Sequence, residues 1–150
     1  MSALLIGVIA GLRSMTAPAA VTWLAQAGHL DLANTWAAFL GWASTRWILT
    51  LLAIGELVAD KLPSTPSRRT ALPFGGRIVT GGLSGAAIGA AAGATIVGML
   101  AGIVGAVCGT LGGFAFRRWL ASAIGRDMPS ALIEDAIAVG GAFGVAALLG

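Results

Sequence analysis

The chain has 150 residues, 57% of them hydrophobic and 10% charged, with a formal net charge of +3. Soluble domains carry about 25% charged residues, and a soluble domain of this length could not cover its surface with so few. Lipid as the solvent removes that need, so composition points to a membrane protein and excludes an ordinary soluble fold.

The lone Cys108 excludes an internal disulfide and a cysteine metal cluster. The lone His29 leaves three-ligand zinc chemistry or a Ser-His-Asp set almost nothing to work with. No cofactor is expected.

Met1 to Ala10 is apolar but lacks a basic n-region and an A-x-A cleavage site, so it reads as the start of a first span and not as a removable signal peptide. That span is expected to run from Ser2 to Gln26. A polar break over Ala27 to Asn34 holds His29 and Asp31. The apolar piece Thr35 to Ala43 is too short, at ~1.5 Å per residue, to cross a core of ~30 Å, and is expected to be an interfacial or re-entrant helix. Segment two is predicted over Arg46 to Leu62. The stretch Pro63 to Thr70, with its prolines and small hydroxyl residues, reads as a loop. Arg77 to Phe116 is almost continuously apolar and would make a rod of about 60 Å. It must therefore turn back near Gly93 to Thr95, giving segments three and four. Segment five is predicted over Pro129 to Leu149, with Pro129 suited to a first helical position. The expected fold is an all-α polytopic transmembrane helical bundle in a single domain over 1–150, with about five spanning helices and one short interfacial or re-entrant helix.

With the N-terminus in the cytoplasm and five crossings, Lys61, Arg68, Arg69, Arg77, Arg117, Arg118 and Arg126 fall inside and Arg46 alone falls outside. Trp23, Trp36, Trp42 and Trp47 then gather at the outer interface and Trp119 at the inner one, as amphipathic rings do. The expected localisation is a cell inner membrane, multi-pass, with the C-terminus outside. The positive charge reads as topology and not as nucleic-acid binding.

Gly81, Gly85, Gly89 and Gly93 recur every fourth residue, and Gly98/Gly102, Gly105/Gly109/Gly113 and Gly7/Gly11 repeat the spacing. Such ladders line one helix face and let a neighbouring backbone approach. The contact can lie within one subunit, form a dimer seam or line a narrow path. Five short spans enclose little volume, so a homo-oligomer is a fitting arrangement. Gly11-Leu12-Arg13-Ser14 also echoes Gly81-Gly82-Leu83-Ser84, which would suit duplicated halves.

Ionisable groups inside spans cost about 2.5 to 3.5 kcal/mol each on insertion scales. Arg13, Glu56, Asp60, Glu134 and Asp135 come from three segments, and the topology gathers them in the middle or inner half of the membrane. Glu56 and Asp60 share one helix face. Arg13 is the natural counter-charge for Glu56 or for the Glu134/Asp135 pair, with Arg77 and Lys61 left for the shallower carboxylates. Pro18 deprives the Ser14 carbonyl of its usual partner. Ser14 and Thr16 place hydroxyls beside that break, the pattern from which transporters build substrate sites.

Gly-Leu-Arg-Ser-Met-Thr-Ala-Pro at 11–18 and Glu-Leu-Val-Ala-Asp-Lys-Leu-Pro-Ser-Thr-Pro-Ser-Arg at 56–68 resemble the signatures of a bacterial family of small integral membrane proteins of unknown function. The Gly-Arg opening segment three and the Glu-Asp pair in segment five are similar too. The resemblance implies a compact helical membrane protein whose signature residues include Arg13, Glu56, Asp60, Arg77 and Glu134; it carries no substrate or reaction.

These readings favour a transporter or channel-like protein for a small polar or ionic solute. Arg13, Ser14 and Thr16 would contact an anionic or polar part, with Arg77 nearby, and Glu56, Asp60, Glu134 and Asp135 would bind a cation or carry protons. The rivals are a non-transporting assembly or scaffold protein, whose charges lock helix order, and an enzyme acting on lipid headgroups. The expected partners are the lipid bilayer, the solute and a second copy of the chain.

Overall fold

A computed structural model describes residues 1–59, 71–124 and 127–149. Asp60, Lys61, the predicted 63–70 loop, Arg68, Arg69 and Arg126 lie outside the described residues. The fold is all-α. Helices α1 (Ser2–Leu12) and α2 (Thr16–Gln26) are followed by a 3-10 turn (Ala38–Gly41). Helices α3 (Ala43–Ala59), α4 (Ala71–Ala91), α5 (Thr95–Ile124) and α6 (Asp127–Leu149) complete the described chain.

Two helices, α5 over Thr95–Leu120 and α6 over Leu132–Leu149, are long and apolar enough to cross a membrane. The α6 window is 17% buried. Most of its apolar surface therefore faces outward, where the core helix of a soluble protein would face inward. Leu132, Ile137, Phe143 and Leu148 of α6 are all exposed, as are Ile96, Val97, Leu100, Val104 and Leu111 of α5.

Both left-handed glycines end helices. At Gly93 (φ 70°) the Ala94 amide donates to the Gly89 carbonyl at 2.7 Å and the Gly93 amide to Ala90 at 3.1 Å. Gly28 (φ 81°) repeats the arrangement, with the His29 amide on Leu24 at 3.0 Å and the Gly28 amide on Ala25 at 3.2 Å. Each is a Schellman motif, with a glycine where a Cβ would be strained. The predicted turn near Gly93 is thereby explained. Gly93 itself leaves the packing ladder, since nothing lies within 4 Å of a Cβ built on it.

The other ladder glycines bring α1, α4 and α5 into backbone contact. A Cβ on Gly89 would lie 2.6 Å from the Ala94 carbonyl oxygen, and one on Gly98 2.7 Å from the Gly89 Cα. Gly81 and Gly85 face Gly102 and Gly98; Gly7 faces Gly102; Gly105 and Gly109 face Leu4 and Val8. A Cβ on Gly11 would lie 2.6 Å from the Thr110 amide. This seam lies within one subunit, and its tightness fixes the depth of α1 against α5.

Five expectations need correction. The first segment is two helices, not one. It breaks at 13–15, upstream of Pro18, which sits in the first turn of α2, where an N–H has no intrahelical partner to lose. The Thr35–Ala43 piece contains a four-residue 3-10 turn and no interfacial α-helix before α3. Arg77 lies in the second turn of α4 and does not open it, and Pro129 is the third residue of α6. The Gly-Leu-Arg-Ser echo is not structural: residues 11–14 end a helix, whereas 81–84 are helix interior.

Seam glycines should resist even a methyl group. Gly102→Ala is expected to lower stability by about 1–3 kcal/mol through overpacking. Gly140→Ala, where nothing lies within 4 Å of the built Cβ, should be neutral or stabilise by up to about 1 kcal/mol. Melting in detergent micelles checks both; equal effects at the two positions would contradict the seam.

Candidate functional site

The interruption between α1 and α2 organises the charged residues. Arg13 leaves the helix in an extended conformation (φ −141°, ψ 110°), and the backbone groups around it need partners from elsewhere. Glu56, three residues before the last described residue of α3, supplies two. One carboxylate oxygen accepts the Ser14 amide at 2.8 Å and the other accepts the Met15 amide at 2.7 Å. A carboxylate at the N-terminus of α2 also opposes the positive end of that helix dipole. Glu56 is thus a cap delivered from a different helix.

The other end receives the opposite charge. The Gly11 carbonyl, near the C-terminus of α1, accepts Arg77 Nη1 at 2.8 Å and the Thr110 hydroxyl at 3.2 Å. A guanidinium there complements the negative end of α1. Ser14 Oγ and Thr80 Oγ1 lie 3.3 Å apart, linking the loop to α4. Four elements, α3, α4, α5 and the loop itself, therefore hold the break.

Arg13 turns away from this cap. Its Nη2 donates to Asp135 Oδ1 in an ion pair with α6, the arginine side chain 1% exposed and the aspartate 13%. Glu134, one residue earlier, points elsewhere, as adjacent helical positions must. It is buried, and its Oε2 lies 3.9 Å from Arg117 Nη1 of α5. Gly113 leaves room for it: a Cβ there would lie 3.4 Å from Glu134 Oε1. A cavity of about 240 Å³ between α1, α5 and α6 reaches Glu134 and is otherwise lined by apolar groups such as Val8, Leu12 and Ile137.

The structure brings together Arg13, Ser14, Glu56, Arg77, Glu134 and Asp135. Thr16 opens α2 with its side chain toward a separate groove against α3 and α6. Asp60 lies outside the described residues. The expected partnership of Arg13 is resolved in favour of Asp135, and Glu56 takes amides in place of Arg13. Sequence reasoning missed Thr80 and Thr110, which carry no signal among so many small residues, and Arg117, whose charge was absorbed into the topology.

Glu56→Ala should strip two amides of their acceptor and cost about 2–4 kcal/mol, with faster hydrogen exchange confined at first to residues 14 and 15. Glu56→Gln keeps one amide acceptor and should cost less. For the ion pair, Arg13→Met or Asp135→Leu alone should cost about 3–5 kcal/mol, and the double variant should recover most of that. Additive losses in this double-mutant cycle would show that the two residues act separately.

No family model, no curated protein and no solved structure matches the chain, so the functional reading rests on this geometry.

Proposed function

We propose that the chain is a five-crossing inner-membrane protein that moves a small polar or ionic solute, with the α1–α2 interruption as its polar centre. In this reading α1 and α2 form one interrupted crossing and α3 to α6 supply the other four, with the N-terminus in the cytoplasm and the C-terminus outside. The exposed apolar surfaces of α5 and α6 support membrane residence. The distribution of Lys and Arg supports the orientation.

One observation carries the transport reading: a helix interrupted inside an apolar bundle, its two ends held by exchangeable side-chain contacts from other helices. Non-helical backbone at membrane depth persists where protein or a polar cavity surrounds it, and such half-helix ends hold ions and charged groups in transporters. Glu56 is the group a cation or proton would compete for, since its two oxygens already gather the amides of Ser14 and Met15. Glu134, which lines the 240 Å³ cavity, is the second carboxylate in position to exchange a cation. Arg13 and Ser14 would meet the anionic or polar part of a solute.

The Arg13–Asp135 pair favours a second reading, an assembly protein whose charges lock helix order. Proteoliposomes loaded with a pH-sensitive dye separate the two. Under a Na⁺ or K⁺ gradient the wild type should accelerate proton movement over protein-free vesicles, and Glu56→Gln and Glu134→Gln should return it to background while still melting cooperatively. Flux unchanged in both variants, or absent from the wild type across these ions, would remove the carboxylate-coupled mechanism and leave the assembly role.

A further inference from the structure

A groove of about 540 Å³ runs between α2, α3 and α6, separate from the cavity at Glu134. Each helix presents one face to it. From α2 the face runs from Thr16 to Ala27, from α3 Thr50 to Leu57, and from α6 Val139 to Ala146. The lining is apolar along its length, and its polar groups sit at the ends: Thr16 at one, His29 and Thr50 toward the other. Eleven residues of α2 at ~1.5 Å each make it about 16 Å long. Half of a ~30 Å hydrocarbon core is the depth of one leaflet, so the groove has the length of one leaflet's acyl chains.

The His29 end carries a cation with a vacant hydrogen-bonding edge. Arg46 is half-buried, its guanidinium 4.8 Å from the Trp23 ring and 5.1 Å from the Trp47 ring. Both are cation–π distances. Trp23 lines the groove and donates its indole N–H to Thr50 at 3.1 Å, while the Thr50 hydroxyl donates to the Arg46 carbonyl at 2.7 Å. The stack is therefore built into the groove wall. Among the described residues no carboxylate pairs with Arg46, and its buried Nε, like that of Arg13, has no hydrogen-bond partner. Every described arginine of the interruption, by contrast, donates to a carbonyl or pairs with a carboxylate. A cation held over two aromatic faces, with no carboxylate partner among the described residues, and tied through Trp23 and Thr50 to the groove that His29 also lines, is complementary to a phosphate.

The geometry points to a bound anionic phospholipid: one acyl chain in the α2/α3/α6 groove, its phosphate on Arg46 with His29 beside it. The occupant comes from the bilayer, because the apolar lining fits a chain and the length matches a leaflet. The chain end of such a lipid would reach Thr16, the first residue of α2, so the lipid would brace α2 against α3 on the side opposite the glycine seam. The inference rests on the membrane reading but not on transport, and flux through Glu56 would survive its failure.

The test uses detergent-purified, delipidated full-length protein with Trp36, Trp42 and Trp119 replaced by Phe, so that Trp23 and Trp47 report. Phosphatidylglycerol brominated along its acyl chains should quench the fluorescence saturably. Brominated phosphatidylcholine should bind about fivefold more weakly, the effect of one arginine near an anionic headgroup. Arg46→Ala should remove that preference and leave chain-dependent quenching, and Ala142→Phe, which fills the groove, should abolish saturable quenching by either lipid. Equal binding of the two lipids by the parent protein overturns the headgroup assignment without recourse to any folding-sensitive variant. Saturable quenching that persists in a cooperatively melting Ala142→Phe protein overturns the groove.

Discussion

A helix that stops and restarts inside an apolar bundle releases backbone groups that must find partners where water is scarce. Here the released groups lie on both sides of Arg13. Their partners are side chains of matching charge, with Glu56 on the Ser14 and Met15 amides and Arg77 on the Gly11 carbonyl. The remaining charged contacts take their places around that arrangement. Arg13, carried out of the helix by its extended backbone, is directed to Asp135, and Glu134 is left to face α5 and Arg117.

The glycine seam and the charged cluster serve one geometry. Gly11 belongs to both: its missing side chain lets α1 meet α5 at Ala106 and Thr110, and its carbonyl receives Arg77 and Thr110. Close backbone contact at Gly7, Gly102, Gly105 and Gly109 sets the depth of α1 against α5. That depth in turn sets where the interruption falls relative to Arg77 on α4, which packs against both. A bundle held by backbone contact on one side and by an apolar groove on the other gives α2 different surroundings from α1. The interruption is the joint between them.

Much of this was legible in the sequence because charge inside long apolar segments is rare enough to stand out. Arg13, Glu56, Arg77, Glu134 and Asp135 could be named from their place in apolar segments, and the four-residue glycine spacing announced close helix contact. The pairing was not legible. Arg13 had several carboxylates to choose from, and Glu56 chose backbone amides, which leave no mark in a residue string. Pro18 drew attention as the obvious breaker, yet proline is compatible with a first helical turn. The true break depended on contacts from α3 and α4, distant in sequence. Arg77 read as a helix opener because Pro73 and the Gly75-Gly76 pair look like loop sequence, yet they lie in the first turns of α4. Gly93 looked like one more rung of a ladder, since periodicity cannot distinguish a packing glycine from one that ends the helix in a left-handed conformation.

The capped interruption can be read directly in a bilayer. Glu56 and Glu134 are the chain's two glutamates, so side-chain carboxyl ¹³C labelling of glutamate with ¹⁵N labelling of serine and methionine gives a simple solid-state NMR dipolar experiment. The account predicts strong dephasing of one glutamate carboxyl by two amide nitrogens, matching oxygen contacts of 2.8 and 2.7 Å to Ser14 and Met15, and loss of that signal in Glu56→Gln. A Glu56 carboxyl with no coupling to either amide, together with helical chemical shifts running unbroken from residue 10 to residue 18, would contradict it.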